Sequence, residues 1–155
     1  MTIQDLGSFG ELVSGVAVLV TLIYLIVQLR QNTATIRAQT RGLLTQQSIR
    51  VQSLLLENPH VAEVVAKSRK GEVLDDREEL IDLTRCFVWF RHWENVHYQY
   101  RQGLYDEAEY LAQRRAIAWR MNEGDPALRR VWAGVKQRYS PDFVEEMESV
   151  IAEPA

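Results

Sequence analysis

The tetrapeptide ENVH at residues 94–97 places a glutamate and a histidine three residues apart. On a helix this spacing puts Glu94 and His97 on one face, as in proteins that bind two metal ions between carboxylates. A complete site of that kind needs two such motifs and two further glutamates. This chain has one motif and only two other histidines, His60 and His92. A metal site in a single protomer is therefore not expected, although a two-fold dimer could bring two copies of the motif together.

The simpler interpretation of Glu94 and His97, which we favour, is a hydrogen-bonded ladder that also includes Arg101. Other catalytic groups are missing from the sequence. The single cysteine, Cys86, lies in an apolar run where a buried, unreactive thiol is expected, and no CxxC motif, Cys/His metal spacing or glycine-rich phosphate loop is present. We therefore predict a non-enzymatic protein without a cofactor, and a dimeric metal-carboxylate enzyme is the weaker alternative.

Charge is distributed unevenly along the 155 residues. Residues 12–29 contain no charged side chain, and residues 12–56 contain no acid but four arginines. From Glu57 onward, 14 Lys and Arg stand against 19 Asp and Glu. An acidic domain of this kind is a poor nucleic-acid binder, so no nucleic-acid partner is predicted.

The uncharged segment has the length of a transmembrane helix. Eighteen residues at the helical rise cover about 27 Å, close to the ~30 Å hydrocarbon layer of a bilayer. Basic residues follow this segment and none precedes it, so the positive-inside rule predicts an N-terminus outside and a cytoplasmic C-terminal domain. Three arginines after this segment are expected to contact anionic lipid headgroups: Arg30, Arg37 and Arg41. A buried core helix and a cleaved signal peptide are the rival interpretations of the segment.

A helical wheel at about 100° per residue collects small and polar side chains along one side of this helix. We call this set the small-polar stripe; it comprises Gly10, Ser14, Ala17, Thr21, Gln28, Asn32, Thr35 and Gln39. Small residues allow close helix packing in lipid, and amides and hydroxyls can hydrogen-bond across such an interface or line a pore. The stripe continues past the apolar segment without a helix-breaking residue, which predicts one long helix.

The rest of the chain is predicted to be helical, with breaks at Asn58-Pro59, Gly71, Gly103, residues 122–126 and Ser140-Pro141. Asp75 or Asp76, Asp106, Asp125 and Ser140 are the expected N-terminal caps. The predicted fold is all-α: a long N-terminal transmembrane helix continues into a cytoplasmic antiparallel helical bundle. The corresponding domains are residues 1–30 (tail and span), 31–57 (basic and amide-rich juxtamembrane helix) and 58–155 (bundle).

Aromatic residues are concentrated between Phe87 and Tyr110, where 8 of the chain's 14 occur. A core built on these rings is the expected structure, and an apolar ligand pocket between the helices is the functional alternative. The candidate cluster or pocket comprises Phe87, Phe90, Trp93 and Tyr98. Leucines and valines between Leu43 and Leu56 predict that the end of the long helix packs on the bundle.

Two blocks of sequence resemble an uncharacterised family of small bacterial single-pass membrane proteins. The first is DLGSFGELVSGVAVLVTLIYLIVQLRQNT, with the signature LGxxGEL, then YL, then RQNT. The second is WFRHWENVHYQYRQGLYDEAEY. The resemblance implies a bacterial inner-membrane protein with a cytoplasmic helical domain, and it implies no established activity.

These observations predict a membrane-anchored, self-associating scaffold or interaction protein that spans the membrane once. The predicted partners are further copies of the chain and a cytoplasmic protein. The alternative is an oligomeric channel lined by Thr21, Gln28, Asn32, Thr35 and Gln39.

Overall fold

The computed structural model describes the backbone of residues 3–153 and the side chains from Gly10 onward. Within that range the fold is all-α and contains no strand, as predicted. The helices are α1 (Ile3–Glu57), α2 (Pro59–Lys70), α3 (Asp76–Arg101), α4 (Glu107–Trp119), α5 (Pro126–Val135) and α6 (Pro141–Ala152), with a π-helical turn at Arg120–Gly124 and a 3₁₀ turn at Lys136–Arg138. The chain divides into two compact units between Gln39 and Thr40, inside the segment predicted to be juxtamembrane.

The first unit contains a helical segment that is long and apolar enough to cross a membrane. An 18-residue window in it has a mean hydropathy of 2.5, and none of that window is buried by other parts of the chain. Every side chain from residue 10 to residue 39 is exposed. The prediction of one long apolar N-terminal helix is therefore confirmed.

The second unit is built around α3, which packs against α2, α4, α5 and α6. Its core is largely aromatic. The Phe90 and Trp132 ring centroids lie 5.2 Å apart, and Phe143 packs edge-on against Trp132 at 5.7 Å. Cys86 is fully buried in the same core, as expected, and burial raises the pKa of its thiol to about 12.

The C-terminal part of α1, residues 40–57, packs on this unit through one side only. Leu44 is buried in a small cluster with Val96 and Tyr110, and Val51 is half-buried against the main core. Leu43 and Leu56 remain exposed, because side chains on the other faces of a helix cannot reach the same contact. The predicted packing of this segment is thus confirmed at Leu44 and Val51, and it was wrong for Leu43 and Leu56.

Helix boundaries fall where the sequence placed them, although two caps differ in mechanism. Asp75 and Asp106 cap α3 and α4 through bonds from main-chain N–H groups, and Asp75 forms a full capping box with Glu78. Asp125 and Ser140 precede prolines at the start of α5 and α6, but neither makes a side-chain cap bond. The predicted N-cap positions of Asp125 and Ser140 are thus confirmed, whereas capping through their side chains was wrong. Asp125 binds an arginine instead, and proline, which has no N–H, already removes one of the main-chain donors that a cap would satisfy.

Candidate functional site

The residues of the small-polar stripe lie on one side of α1, all exposed and all within the first unit. Their polar groups are partly satisfied inside the helix. The Thr21 and Thr35 hydroxyls donate to the main-chain oxygens of Ala17 and Gln31 at 2.8 and 3.0 Å, and the Gln28 amide donates to the Tyr24 hydroxyl at 2.6 Å. Such internal bonds lower the cost of placing threonine and glutamine in hydrocarbon. No heavy atom lies within 4 Å of a Cβ built on Gly10, so this position is open to a neighbouring helix.

The three arginines predicted to contact lipid do not share one environment. Arg30 and Arg37 are exposed on α1 in the first unit. Arg41 belongs to the second unit, where its guanidinium lies 2.7 Å from the carboxylate of Glu109. A carboxylate partner competes with anionic headgroups for the guanidinium of Arg41, so the lipid-contact hypothesis is weaker at this arginine.

The predicted ladder of Glu94, His97 and Arg101 is wrong. The Glu94 carboxylate accepts from Arg91 at 2.5 Å and from the main-chain N–H of Ser140 at 3.0 Å. The side chains of the other two members bind elsewhere: the His97 Nδ1 atom lies 3.0 Å from the Tyr110 hydroxyl, and Arg101 pairs with Asp142. Glu94 and Arg101 reach the start of α6, whereas His97 reaches Tyr110 in α4, and helical spacing alone does not reveal these partners.

No group of three or more His, Cys, Asp or Glu side chains in the described part of the chain is arranged to hold a metal ion. His97 is partly buried, and this burial lowers the pKa of its imidazole. Its Nε2 atom is buried and has no hydrogen-bond partner.

The aromatic side chains predicted to form one cluster separate into different environments. Phe90 and Trp93 lie in the core, and Phe87 is half-buried against it. Tyr98 is 57% exposed and does not belong to the core, a correction that follows from its position on the outer face of α3. These rings fill space in the second unit, as the structural interpretation of the cluster predicted.

A buried ionic network that the sequence did not indicate joins α2, α3 and the start of α5. The Arg85 guanidinium donates to the Asp82 carboxylate at 2.6 and 2.9 Å and to the Asp125 carboxylate at 2.6 and 3.3 Å. The Ser68 hydroxyl donates to Asp82 at 2.7 Å. The spacing of Asp82 and Arg85 is visible in the sequence, but Asp125 is 40 residues away and only the fold brings it there. The network holds three elements in register rather than presenting a reactive group.

An apolar groove opens beside this network, between residues 51–58, α2 and α3. Its volume is about 370 Å³, and its lining residues are Val51, Leu54, Leu55, Asn58, Val61, Leu80, Ile81, Thr84, Arg85, Val88 and Trp89. Trp89 is its one aromatic side chain, so the predicted pocket residues Phe87, Phe90, Trp93 and Tyr98 do not line it. A second groove of about 410 Å³ shares Val51, Leu54 and Val88 with the first. The sequence signal was present in the leucines of residues 54–56, which helical spacing leaves partly uncovered.

Comparison with known proteins adds no relative: no family model, curated protein or solved structure matches the chain.

Proposed function

We propose that the chain is a membrane-anchored, self-associating helical scaffold rather than an enzyme. In this proposal residues 12–29 cross a bilayer once, and residues 40–155 form an antiparallel helical bundle that binds a protein partner. The observation that carries the proposal is the exposure of the apolar segment. Its window of mean hydropathy 2.5 is covered by none of the described residues, and its large side chains are 46–66% exposed from Leu12 to Leu29.

Such a continuous apolar surface is unfavourable in water and favourable in hydrocarbon. A helix satisfies its own main-chain hydrogen bonds, which a membrane span requires. The side chains of Thr21 and Gln28 also make hydrogen bonds within the helix, which leaves fewer polar groups without a partner in hydrocarbon. A bilayer is therefore the environment that best fits this segment.

Orientation is proposed from the arginines. Arg30 and Arg37 follow the apolar segment, and no Lys or Arg precedes it. The positive-inside rule then places the N-terminus outside and the second unit in the cytoplasm. The resemblance to small bacterial membrane proteins supports a bacterial inner membrane as the location.

Self-association is proposed through the small-polar stripe. Gly10, Ser14 and Ala17 carry little side-chain bulk, so two helices can approach closely there, and the stripe's hydroxyls and amides can bond across the contact. The test is the protein mass of the complex in mild detergent, measured by light scattering with the detergent contribution subtracted. We expect a dimer for the natural sequence and a monomer for Gly10→Leu combined with Ser14→Leu.

Gly15→Leu is the matched control for this experiment. Gly15 lies about 140° from Gly10 around the helix, off the stripe, and a Cβ there also meets no atom within 4 Å. The control should stay dimeric. A natural sequence that is monomeric, or a double variant that keeps its mass, would show that the stripe is not an interface. Four or more copies would instead favour the channel alternative, which conductance in planar bilayers tests.

A further inference from the structure

The apolar groove of the second unit is suited to a small apolar ligand, which goes beyond the proposed scaffold function. We propose that it binds a long-chain fatty acid, with the alkyl chain lying in the groove and the carboxylate at Arg50. The size of the groove fits this class of ligand. Its volume of about 370 Å³ falls within the ~300–1,000 Å³ typical of small-molecule sites.

The polar groups in the groove wall are already used within the chain. The Thr84 hydroxyl donates to the main-chain oxygen of Leu80 at 2.7 Å, and the Asn58 amide donates to that of Leu54 at 3.0 Å. Arg85 is committed to the buried ionic network. The groove therefore offers a bound molecule apolar contact and few polar donors, and a hydrocarbon chain is the ligand part that needs only such contact.

A positively charged side chain, Arg50, lies beside this apolar surface. Arg50 lines the adjoining groove, which shares Val51, Leu54 and Val88 with the first. Arg50 is exposed and makes no ion pair with any described residue, whereas the other arginine in that lining, Arg91, is paired with Glu94. A guanidinium binds carboxylates with matched geometry.

Apolar walls with one unpaired cation at the side complement a single-chain anionic amphiphile. A partner helix would pair with Arg50 only through an acidic side chain or its C-terminal carbonyl groups at that point, whereas a fatty acid always ends in a carboxylate. Charge complementarity therefore favours the fatty acid over a partner helix. This inference does not depend on self-association through the first unit.

Photocrosslinking tests the proposal on the full chain in phosphatidylcholine nanodiscs. The probe is a palmitate analogue that carries a diazirine in its alkyl chain, and the adducts are mapped by mass spectrometry. We expect adducts on residues 51–55 and 80–89. Adducts confined to residues 12–29, or spread evenly over the chain, would show simple partitioning into lipid and would overturn the proposal.

Two arginine variants test the position of the carboxylate. Arg50→Gln should lower labelling of the groove about two- to fivefold at subsaturating probe, the effect of losing an exposed ion pair. Arg129→Gln is the matched control, because Arg129 is also exposed and makes no ion pair among the described residues, and it lies outside both grooves. Equal labelling of the two variants would overturn the assignment to Arg50.

A third variant tests the groove itself. Leu54 is 40% exposed, so Leu54→Trp can fill the groove without disturbing the buried core. Labelling should be lost while circular dichroism and the unfolding midpoint stay unchanged. Retained labelling in a folded Leu54→Trp protein would contradict the proposed site.

Two further probes distinguish the chemistry and source of the ligand. A photoreactive fatty alcohol of the same chain length should label the groove more weakly than the acid, and equal labelling would overturn an anionic ligand. A photoreactive phospholipid in the disc should leave the groove unlabelled. If it labelled residues 51–55 and 80–89 as strongly as the acid, the occupant would be a bilayer lipid and the fatty-acid proposal would be wrong.

Discussion

At the scale of single residues, Arg85 pairs with two buried carboxylates in the second unit. Its guanidinium is 8% exposed and lies between Asp82 and Asp125, whose side chains are 3% and 0% exposed. A buried charge is tolerated only when it is paired and hydrogen-bonded. Arg69 lies 3.6 Å from Asp125 and Arg130 lies 3.7 Å from Asp82, so Arg85 is the closest counterion of both carboxylates.

Replacing Arg85 by methionine should destabilise the second unit strongly. Arg85→Met leaves two carboxylates buried without their main counterion, so we expect the free energy of unfolding to fall by about 3–5 kcal/mol. Chemical denaturation of the full chain in mild detergent, followed by circular dichroism, measures the change. The exposed control Arg129→Met should stay within about 0.5 kcal/mol of the natural sequence. A loss below about 1 kcal/mol for Arg85→Met would contradict the role of the network.

Two histidines, the buried His92 and the partly buried His97, predict that the stability of the second unit depends on pH. Burial lowers the pKa of His92 and of His97 below 6.5, and at His97 the nearby Arg101 acts in the same direction while Glu146 and Asp142 oppose it. As the pH falls through 6.5, the unfolded chain takes up protons that the folded chain does not. The free energy of unfolding must therefore decrease as the solution is acidified, until the pH is below the folded-state pKa values.

We expect denaturation to require less denaturant at about pH 5 than at about pH 7.5. Carboxylates whose pKa is lowered by basic partners, such as Glu148 beside Lys136, lose their contribution only below about pH 4.5, so the two effects are separable. His92→Gln should flatten the dependence between these two pH values. An unchanged slope in that variant would show that His92 does not contribute.

At the scale of elements, α2 ends at a glycine in the left-handed region. Gly71 has φ = 72°, its N–H donates to the Ser68 oxygen, and the Glu72 N–H donates to the Lys67 oxygen, each at 3.1 Å. These two hydrogen bonds close the last turn of α2, and the chain then turns toward α3. A side chain at positive φ is strained whatever space is available.

Gly71→Ala should lower the free energy of unfolding by about 1–2 kcal/mol. Gly42→Ala is its contrast: Gly42 lies inside α1 with no atom within 4 Å of a built Cβ, so alanine should stabilise the protein by up to about 1 kcal/mol through its higher helix propensity. Thermal unfolding of both variants measures the difference. Two shifts of the same sign would mean that one of these glycines does not have the conformation described.

At the scale of the whole molecule, the two units differ in how far their apolar side chains are exposed. The first unit exposes its leucines, valines and isoleucines from Leu12 onward, whereas the second unit has a buried core that includes Phe90, Trp132 and Phe143. This contrast is what the proposed membrane anchor explains. It also makes the orientation in the membrane a measurable property.

In a bacterial inner membrane, a C-terminal fusion to green fluorescent protein should fluoresce, and a C-terminal fusion to alkaline phosphatase should be inactive. These outcomes are expected because the proposed topology, with Arg30 and Arg37 after the span, places the C-terminal side in the cytoplasm. Replacing both by glutamine and adding two lysines near the N-terminus should shift a measurable fraction of the chains to the opposite orientation. An active phosphatase fusion of the natural sequence would contradict the proposed topology.

Much of the fold followed from local signals in the sequence. The prolines at 59, 126 and 141, the glycines at 71 and 103, and the aspartates at 75 and 106 delimit helices because each acts through its own main chain or its nearest neighbours. Residues 12–29 were recognisable for the same reason, since apolarity over one helix length is a property of consecutive residues. Lone Cys86 in an apolar run was likewise predictable as a buried thiol.

Only the tertiary structure decided which side chains meet across the chain. Asp125 was expected to cap α5, and the fold brings it instead to Arg85, because a buried arginine offers the carboxylate a stronger partner than a helix N-terminus. Glu94, His97 and Arg101 share a helical face yet bind Arg91, Tyr110 and Asp142. The groove likewise exists only because residues 51–58, α2 and α3 pack together and leave a gap between them. Partners distant in sequence are chosen by packing, and local sequence patterns do not encode packing directly.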